Sequence, residues 1–277
     1  MKSFILNKII SEAIKEDIPN GDITSLSLID QKTNVLANIK AKEHGVLCGS
    51  LLAKQIFKKI DKNLTIQIKK RDGSLVKKNQ TIMTIKGKKI SILQAERTAL
   101  NFLGFMSGIA SKTNYLVSKT KKYKTKICCT RKTLPNLRVL QKYAVRIGGG
   151  TNNRMNLSDE IFIKDNHFIK EVNFRSIVEK SIKNNKQRKI ITVEVDNLNQ
   201  LKQIKDLKIN RVLFDNMKPS LITKGLTLLP KTVETEASGN INETNIISYA
   251  KTKVKRISMG SLTHSIRNFD FSLEIKK

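Results

Sequence analysis

Three rhythms of apolar and polar positions run along the chain. Near its start, Phe4, Ile5, Ile9, Ile10, Ala13 and Ile14 recur at helical spacing over 3–16 and stop at Asp17-Ile18-Pro19-Asn20-Gly21. That predicts an amphipathic helix and a turn. Asp22 and Thr24, just beyond, read as turn or cap residues. From Asn34 to about Lys89 the runs shorten and alternate (VLANIKA, GVLCG, LTIQIKK, TIMTIKG), predicting an antiparallel sheet region with a helix inserted near 51–60. Residues 92–121 are the longest helix-compatible stretch. Gly104 and Gly108 interrupt it, and their spacing fits either close backbone approach to a packed neighbour or a break between two helices.

After residue 125 apolar runs and helix-compatible segments alternate. The expected strands are KICC, EIFIK, ITVEV, RVLFD, TVETEA and RISMG, a pattern that suggests a parallel barrel or a doubly wound sheet. Polar residues at the strand ends, namely Arg131, Lys164, Glu194, Asp215, Ser238 and Gly260-Ser261, favour the barrel, whose reactive groups gather at that edge. The expected fold is therefore α/β, an incomplete (β/α) barrel of about six parallel strands plus an N-terminal α+β sandwich domain. The expected boundaries are 1–110 and 111–265, with a last strand at about 266–277 packing back on the first domain. Within the barrel region 137–147 reads as a helix capped by Gly148, and the run Gly148-Gly149-Gly150 either forms a plain loop or lets backbone approach a ligand.

Composition changes this picture little. A formal charge of +30, from 53 Lys and Arg against 23 Asp and Glu, invites a nucleic-acid reading. The lysines are spread along the whole chain, however, without a basic arm or a stacking platform. Loose adsorption to polyanions is expected, and no specific nucleic-acid partner. Cys128 and Cys129 are adjacent and Cys48 is distant, a spacing that suits small core residues in a reducing compartment rather than a disulfide or zinc site. No apolar run approaches the roughly 20 residues that span a bilayer, and the N-terminus lacks signal-peptide features, so no membrane partner and a cytoplasmic location are expected.

The chemistry concentrates between Thr130 and His167. Arg131, Lys132, Arg154 and Lys164 fall at ends or turns of expected elements, where side chains converge. Arginine forks match carboxylates and phosphates, and lysine supplies a mobile point charge, so the set suits a substrate with several anionic groups. Read alone, Arg97 is a solvated or ion-paired helix residue, Glu194 and Asp215 are rim salt-bridge partners, and His264 is a structural histidine.

Here the chain resembles the quinolinate phosphoribosyltransferase family. The likeness rests on Thr130-Arg131-Lys132-Thr133, on Lys142-Tyr143-Ala144-Val145-Arg146 leading to the glycines, and on Ile163-Lys164-Asp165-Asn166-His167. It also rests on Glu96-Arg97-Thr98-Ala99-Leu100-Asn101 and on the segment ISMGSLTHS that contains Gly260 and His264. The resemblance implies transfer of a phosphoribosyl group from phosphoribosyl pyrophosphate to quinolinate with decarboxylation, giving nicotinate mononucleotide, pyrophosphate and CO2 for NAD biosynthesis. It implies that Arg131, Arg154 and Lys164 hold quinolinate, joined by Arg97 from the partner subunit of a homodimer, and it leaves open further assembly of dimers into a hexamer. Lys132 would face the phosphoribosyl donor. Glu194 and Asp215 would bind Mg2+ or the ribose hydroxyls, and Ser238, Gly239, Asn240, Gly260 and His264 the 5-phosphate. Lys132, Lys164, Glu194 and Asp215 are the expected catalytic set.

Two positions depart from the family pattern. Asn153 stands where histidine is usual, removing a donor that could carry charge near the quinolinate carboxylates and costing about tenfold or more in binding. Asn240 replaces the second glycine of SGGI, at a place that suits a positive φ. Reduced but not abolished activity is expected. The alternatives are a related pyridine or molybdenum-locus phosphoribosyltransferase, against which Lys164-Asp165-Asn166-His167 speaks, and a decayed homologue kept as a binding protein, which turnover would exclude.

Overall fold

The computed structural model describes residues 3–168 and 173–276, so Met1, Lys2 and Lys277, at the ends of the expected segments, lie outside the described residues. The chain forms two compact units. The first comprises 1–114, 134–149 and 265–277, and the second 115–133 and 150–264.

In the first unit the opening helix runs Ser3–Asp17, and Asp22 caps a short helix Ile23–Leu28 by accepting from the Ser25 amide at 3.0 Å. The alternating region gives strands β1 Asn34–Ala41, β2 Gly45–Val46, β3 Thr65–Ile68, β4 Leu75–Val76 and β5 Thr81–Lys88, with the helix Ser50–Ile60 between β2 and β3. Strands β1, β3 and β5 form an antiparallel sheet, while β2 and β4 pair separately as a two-stranded ribbon. The chain's last strand lies beside β1, with Ala37 opposite Ile275 and Ala41 opposite Phe271. Inward residues such as Ala37, Ile39, Met83 and Ile85 are fully buried, the alternation expected of a sheet covered on one face.

The long stretch is one continuous helix, Lys89–Thr120. Its glycines mark a close approach rather than a break. A Cβ on Gly104 would lie 2.7 Å from the Phe269 carbonyl oxygen, and one on Gly108 would strike the Arg267 carbonyl. Gly148, which caps the helix Arg138–Ile147, is pressed in the same way against Ala110 and Thr113. The close approach at this glycine run is thus to the long helix, and the helix 138–147, expected among the barrel segments, groups with the first unit.

The second unit is built on a seven-stranded parallel sheet. The six expected strands appear as β6 Lys126–Cys129, β8 Ile161–Ile163, β9 Ile191–Val195, β10 Arg211–Asp215, β11 Glu234–Ser238 and β12 Arg256–Ser258. A seventh, β7 Thr151–Asn152, is only two residues long, too short for any alternation to announce it. The strand order is β7-β6-β12-β11-β10-β9-β8, leaving β7 and β8 as unpaired edges joined by residues 153–160. The final strand of the chain is β13, Phe271–Ile275. Cys128 and Cys129 are buried thiols on β6, neither of them in a disulfide.

Register stacks the inward residues in layers. Thr192, Arg211 and Glu234 lie side by side, and above them Glu194, Leu213, Glu236 and Arg256. Toward the strand ends Asp215 pairs with Ser238. The opposite face carries Val193, Val212, Phe214, Ala237 and Ile257, each fully buried, which hold the sheet by apolar burial.

Candidate active site

The C-terminal ends of the seven parallel strands open into a cavity of about 1110 Å3. Each strand delivers polar groups to it: Arg131 and Lys132 follow β6, Asn153 and Arg154 follow β7, and Lys164 follows β8. Glu194 and Asp215 stand at the ends of β9 and β10, Ser238, Gly239 and Asn240 at the end of β11, and Gly260 and His264 after β12. Of the site residues expected from sequence, Arg97 alone is absent from the lining; it is exposed on the long helix.

One part of the lining is strongly cationic. The Arg154 guanidinium and the Lys164 ammonium each lie 4.8 Å from the centroid of Phe162, a ring on β8 that the sequence reading did not single out. Such stacking orients a cation without neutralising it. Burial and the nearby Arg131 charge both push the Arg154 guanidinium below its usual basicity. Arg131 Nε is buried and has no hydrogen-bond partner, a state that costs about 1–3 kcal/mol until an acceptor arrives. Two crowded guanidiniums with an unmet donor make a receptor for an anion.

The acidic part is Glu194 and Asp215. Glu194 is only 8% exposed, and its Oε2 lies 3.1 Å from Lys164 Nζ. Burial raises the pKa of both carboxyls, Lys164 draws both down, and Asp196 pushes Asp215 further up. Among the described residues no three His, Cys, Asp or Glu side chains gather closely enough to hold a metal ion alone. Two carboxylates facing open space suit Mg2+ if the bound substrate supplies the remaining oxygens.

Beyond β11 the backbone turns tightly. Gly239 has φ +87 and Asn240 φ +50, so the departure from glycine at 240 falls at a left-handed position, where asparagine is the cheapest substitute. The Asn240 amide donates to Asn216 Oδ1 at 3.0 Å, and Asn216 Nδ2 donates to Asp215 Oδ2 at 2.7 Å. Across the cavity, Gly260 leaves room for two neighbours: a Cβ there would come within 2.9 Å of His264 Nε2 and 3.2 Å of Lys132 Cδ. Thr263 Oγ1 donates to the Lys132 carbonyl at 2.6 Å and fixes that turn.

The floor is an ionic network that sequence reasoning missed. Arg211 Nε is 2.8 Å from Glu234, and its Nη1 is 3.4 Å from Glu160. Arg256 Nε is 3.0 Å from Glu236, which is fully buried. Asn153 joins this network: its Nδ2 donates to Glu236 at 2.7 Å and to Ser258 at 3.0 Å, and its Oδ1 accepts from Arg256. The alternation of Glu234 and Glu236 in β11, opposite Arg211 and Arg256, was the available signal.

The model of the quinolinate phosphoribosyl transferase C-terminal domain matches residues 109–274, and that of the N-terminal domain residues 22–107. A protein of Methanocaldococcus jannaschii named probable nicotinate-nucleotide pyrophosphorylase [carboxylating] is 39% identical over 286 residues, covering 99% of this chain and 98% of that protein. A Bacillus subtilis protein of the same name is 35% identical, covering 99% and 95%. The solved nicotinate-nucleotide pyrophosphorylase of Francisella tularensis superposes with a TM-score of 0.95 at 38% identity, covering 100% of this chain and 98% of that one. The chain belongs to the quinolinate phosphoribosyl transferase family over both of the family's domains.

Proposed function

We propose that the chain catalyses phosphoribosyl transfer from phosphoribosyl pyrophosphate to quinolinate. The pyridine nitrogen bonds to C1 of the ribose, pyrophosphate leaves with the electrons of the broken C–O bond, and the 2-carboxylate departs as CO2, leaving the electron pair of the broken C–C bond on ring C2, where it takes up a proton from solvent. Nicotinate mononucleotide is the product, an intermediate of NAD biosynthesis.

The observation that carries this reading is the cationic lining with its unmet donor on Arg131. Arg131, Arg154 and Lys164 would take the two carboxylates of quinolinate, holding the ring so that its nitrogen faces the ribose. Lys132, beside Gly260 and His264, would meet the donor. The turn at Ser238, Gly239 and Asn240, with Gly260 and His264, would bind the 5-phosphate. Charge develops on the ribose as the bond to pyrophosphate stretches, and Glu194 and Asp215 are suited to stabilise it. The same two carboxylates suit Mg2+, which when bound neutralises part of the pyrophosphate charge. No nucleophilic side chain is required; the rate comes from holding two reactants in register and excluding water. In a homodimer, Arg97 of each subunit would complete the neighbour's quinolinate site.

Incubation with quinolinate, phosphoribosyl pyrophosphate and Mg2+ is expected to yield nicotinate mononucleotide. The Arg131→Ala and Lys132→Ala variants are expected to lose at least about a hundredfold in kcat/KM. A folded protein that makes no product would overturn the proposal.

A further inference from the structure

A run of side-chain hydrogen bonds connects the Asp215 carboxylate to the turn after β11. Because an ionised carboxylate only accepts, the Asn216 amide must turn Nδ2 toward Asp215, leaving Oδ1 for a donor on its other side. Asn240 supplies that donor, so the run Asn240 to Asn216 to Asp215 has one direction, with bonds of 3.0 and 2.7 Å. Both asparagines are pinned by backbone as well. The Asn216 backbone N–H donates to the Ser238 carbonyl at 2.9 Å, and Asn245 Nδ2 donates to the Asn240 carbonyl at 3.0 Å. A Cβ on Gly239 would collide with the Asn216 side chain, so the turn and this amide are packed directly together. A glycine at 240 could not make the link.

Resting on the function proposed above, we infer that Asn216 is a positioning residue. Held by Asn240, it fixes the Asp215 carboxylate relative to the Ser238–Asn240 turn, so that the phosphate end and the ribose end of the donor are recognised as one rigid unit.

The test is a double-mutant cycle on Asn216→Gly and Asn240→Gly. Both residues have positive φ, 53 and 50 degrees, so glycine keeps the backbone while deleting the link. The readouts are kcat, KM for each substrate, and the calorimetric Kd of ribose 5-phosphate, which reports binding without turnover. Each single variant is expected to raise the KM for phosphoribosyl pyrophosphate and the Kd of ribose 5-phosphate about tenfold, leaving the KM for quinolinate within about twofold. The double variant should be no worse than the worse single within about twofold, because both cut one chain. Asn216→Asp, which keeps the acceptor for Asn240 but loses the donor to Asp215, should lose as much as Asn216→Gly.

Unchanged single variants, effects that multiply, or an Asn216→Asp variant with wild-type KM would each overturn the inference. A wild-type protein that forms no nicotinate mononucleotide would instead remove the proposed function, and the cycle would then be read on ribose 5-phosphate alone. If the wild type fails to bind that probe too, the positioning role falls with it.

Discussion

Glu194 and Asp215 show how burial and neighbours set acidity. Both carry raised pKa values, with burial the largest cause. The folded chain therefore keeps these protons to higher pH than the unfolded chain does. The stability they contribute is present below their ordinary values of 4.5 and 3.8 and is lost as pH rises through their raised folded values. Asp196 is one of the groups raising Asp215, so Asp196→Asn should move the Asp215 midpoint and the acid limb of kcat/KM downward. Carboxyl NMR titration reads this directly, and an unmoved midpoint would mean that the Asp196 charge does not reach the site. At this scale the strand-tip residues were legible, because a charge ending an apolar run is anomalous. Asn153 was harder: it was expected to matter for a charge it lacks, yet its amide is engaged by Arg256, Glu236 and Ser258 beneath the cavity. Nothing local to TNNR announces partners about a hundred residues away.

The helix Lys89–Thr120 shows what an element's own pattern leaves open. Spacing located Gly104 and Gly108 but could not distinguish a break from a contact, since both remove side chains at the same interval. The contact is with the backbone of Arg267 and Phe269, and the Phe269 amide donates to the Gly104 carbonyl at 2.9 Å. Gly108→Ala should therefore cost about 1–3 kcal/mol in urea unfolding despite alanine's better helix propensity. Asn114→Ala, at an exposed position on the same helix, should stay within about 0.5 kcal/mol. Equal effects at the two positions would refute the close approach. Strand β7 illustrates the opposite limit: with two residues it has no period to detect, and only pairing with β6 defines it.

For the whole molecule, the change from short alternating runs to strand–helix alternation made the antiparallel and parallel sheets legible, while the proposed homodimer rests on a single residue. Arg97 is exposed on its own chain, and its proposed place in a neighbour's site predicts complementation. Mixing Arg97→Ala and Lys132→Ala chains under subunit exchange should restore roughly a quarter of wild-type turnover, because half the dimers are hybrids with one intact site each. Mixtures no more active than their components would argue against a shared site.

The parallel sheet also has a seam, where residues 153–160 join the unpaired edges β7 and β8. This segment carries Arg154 and Leu157 into the cavity wall and is drawn together by the Asp159 carboxylate, which accepts from the Met155 amide at 2.6 Å. A barrel hydrogen-bonded all the way round has its bore dictated by strand number and stagger. Here a length of covalent chain replaces one ladder, so insertions or exchanges within it can resize the mouth while every strand keeps its register. The scaffold can thus drift toward wider or narrower heterocycles through one loop, and that evolutionary freedom comes from leaving the circle open.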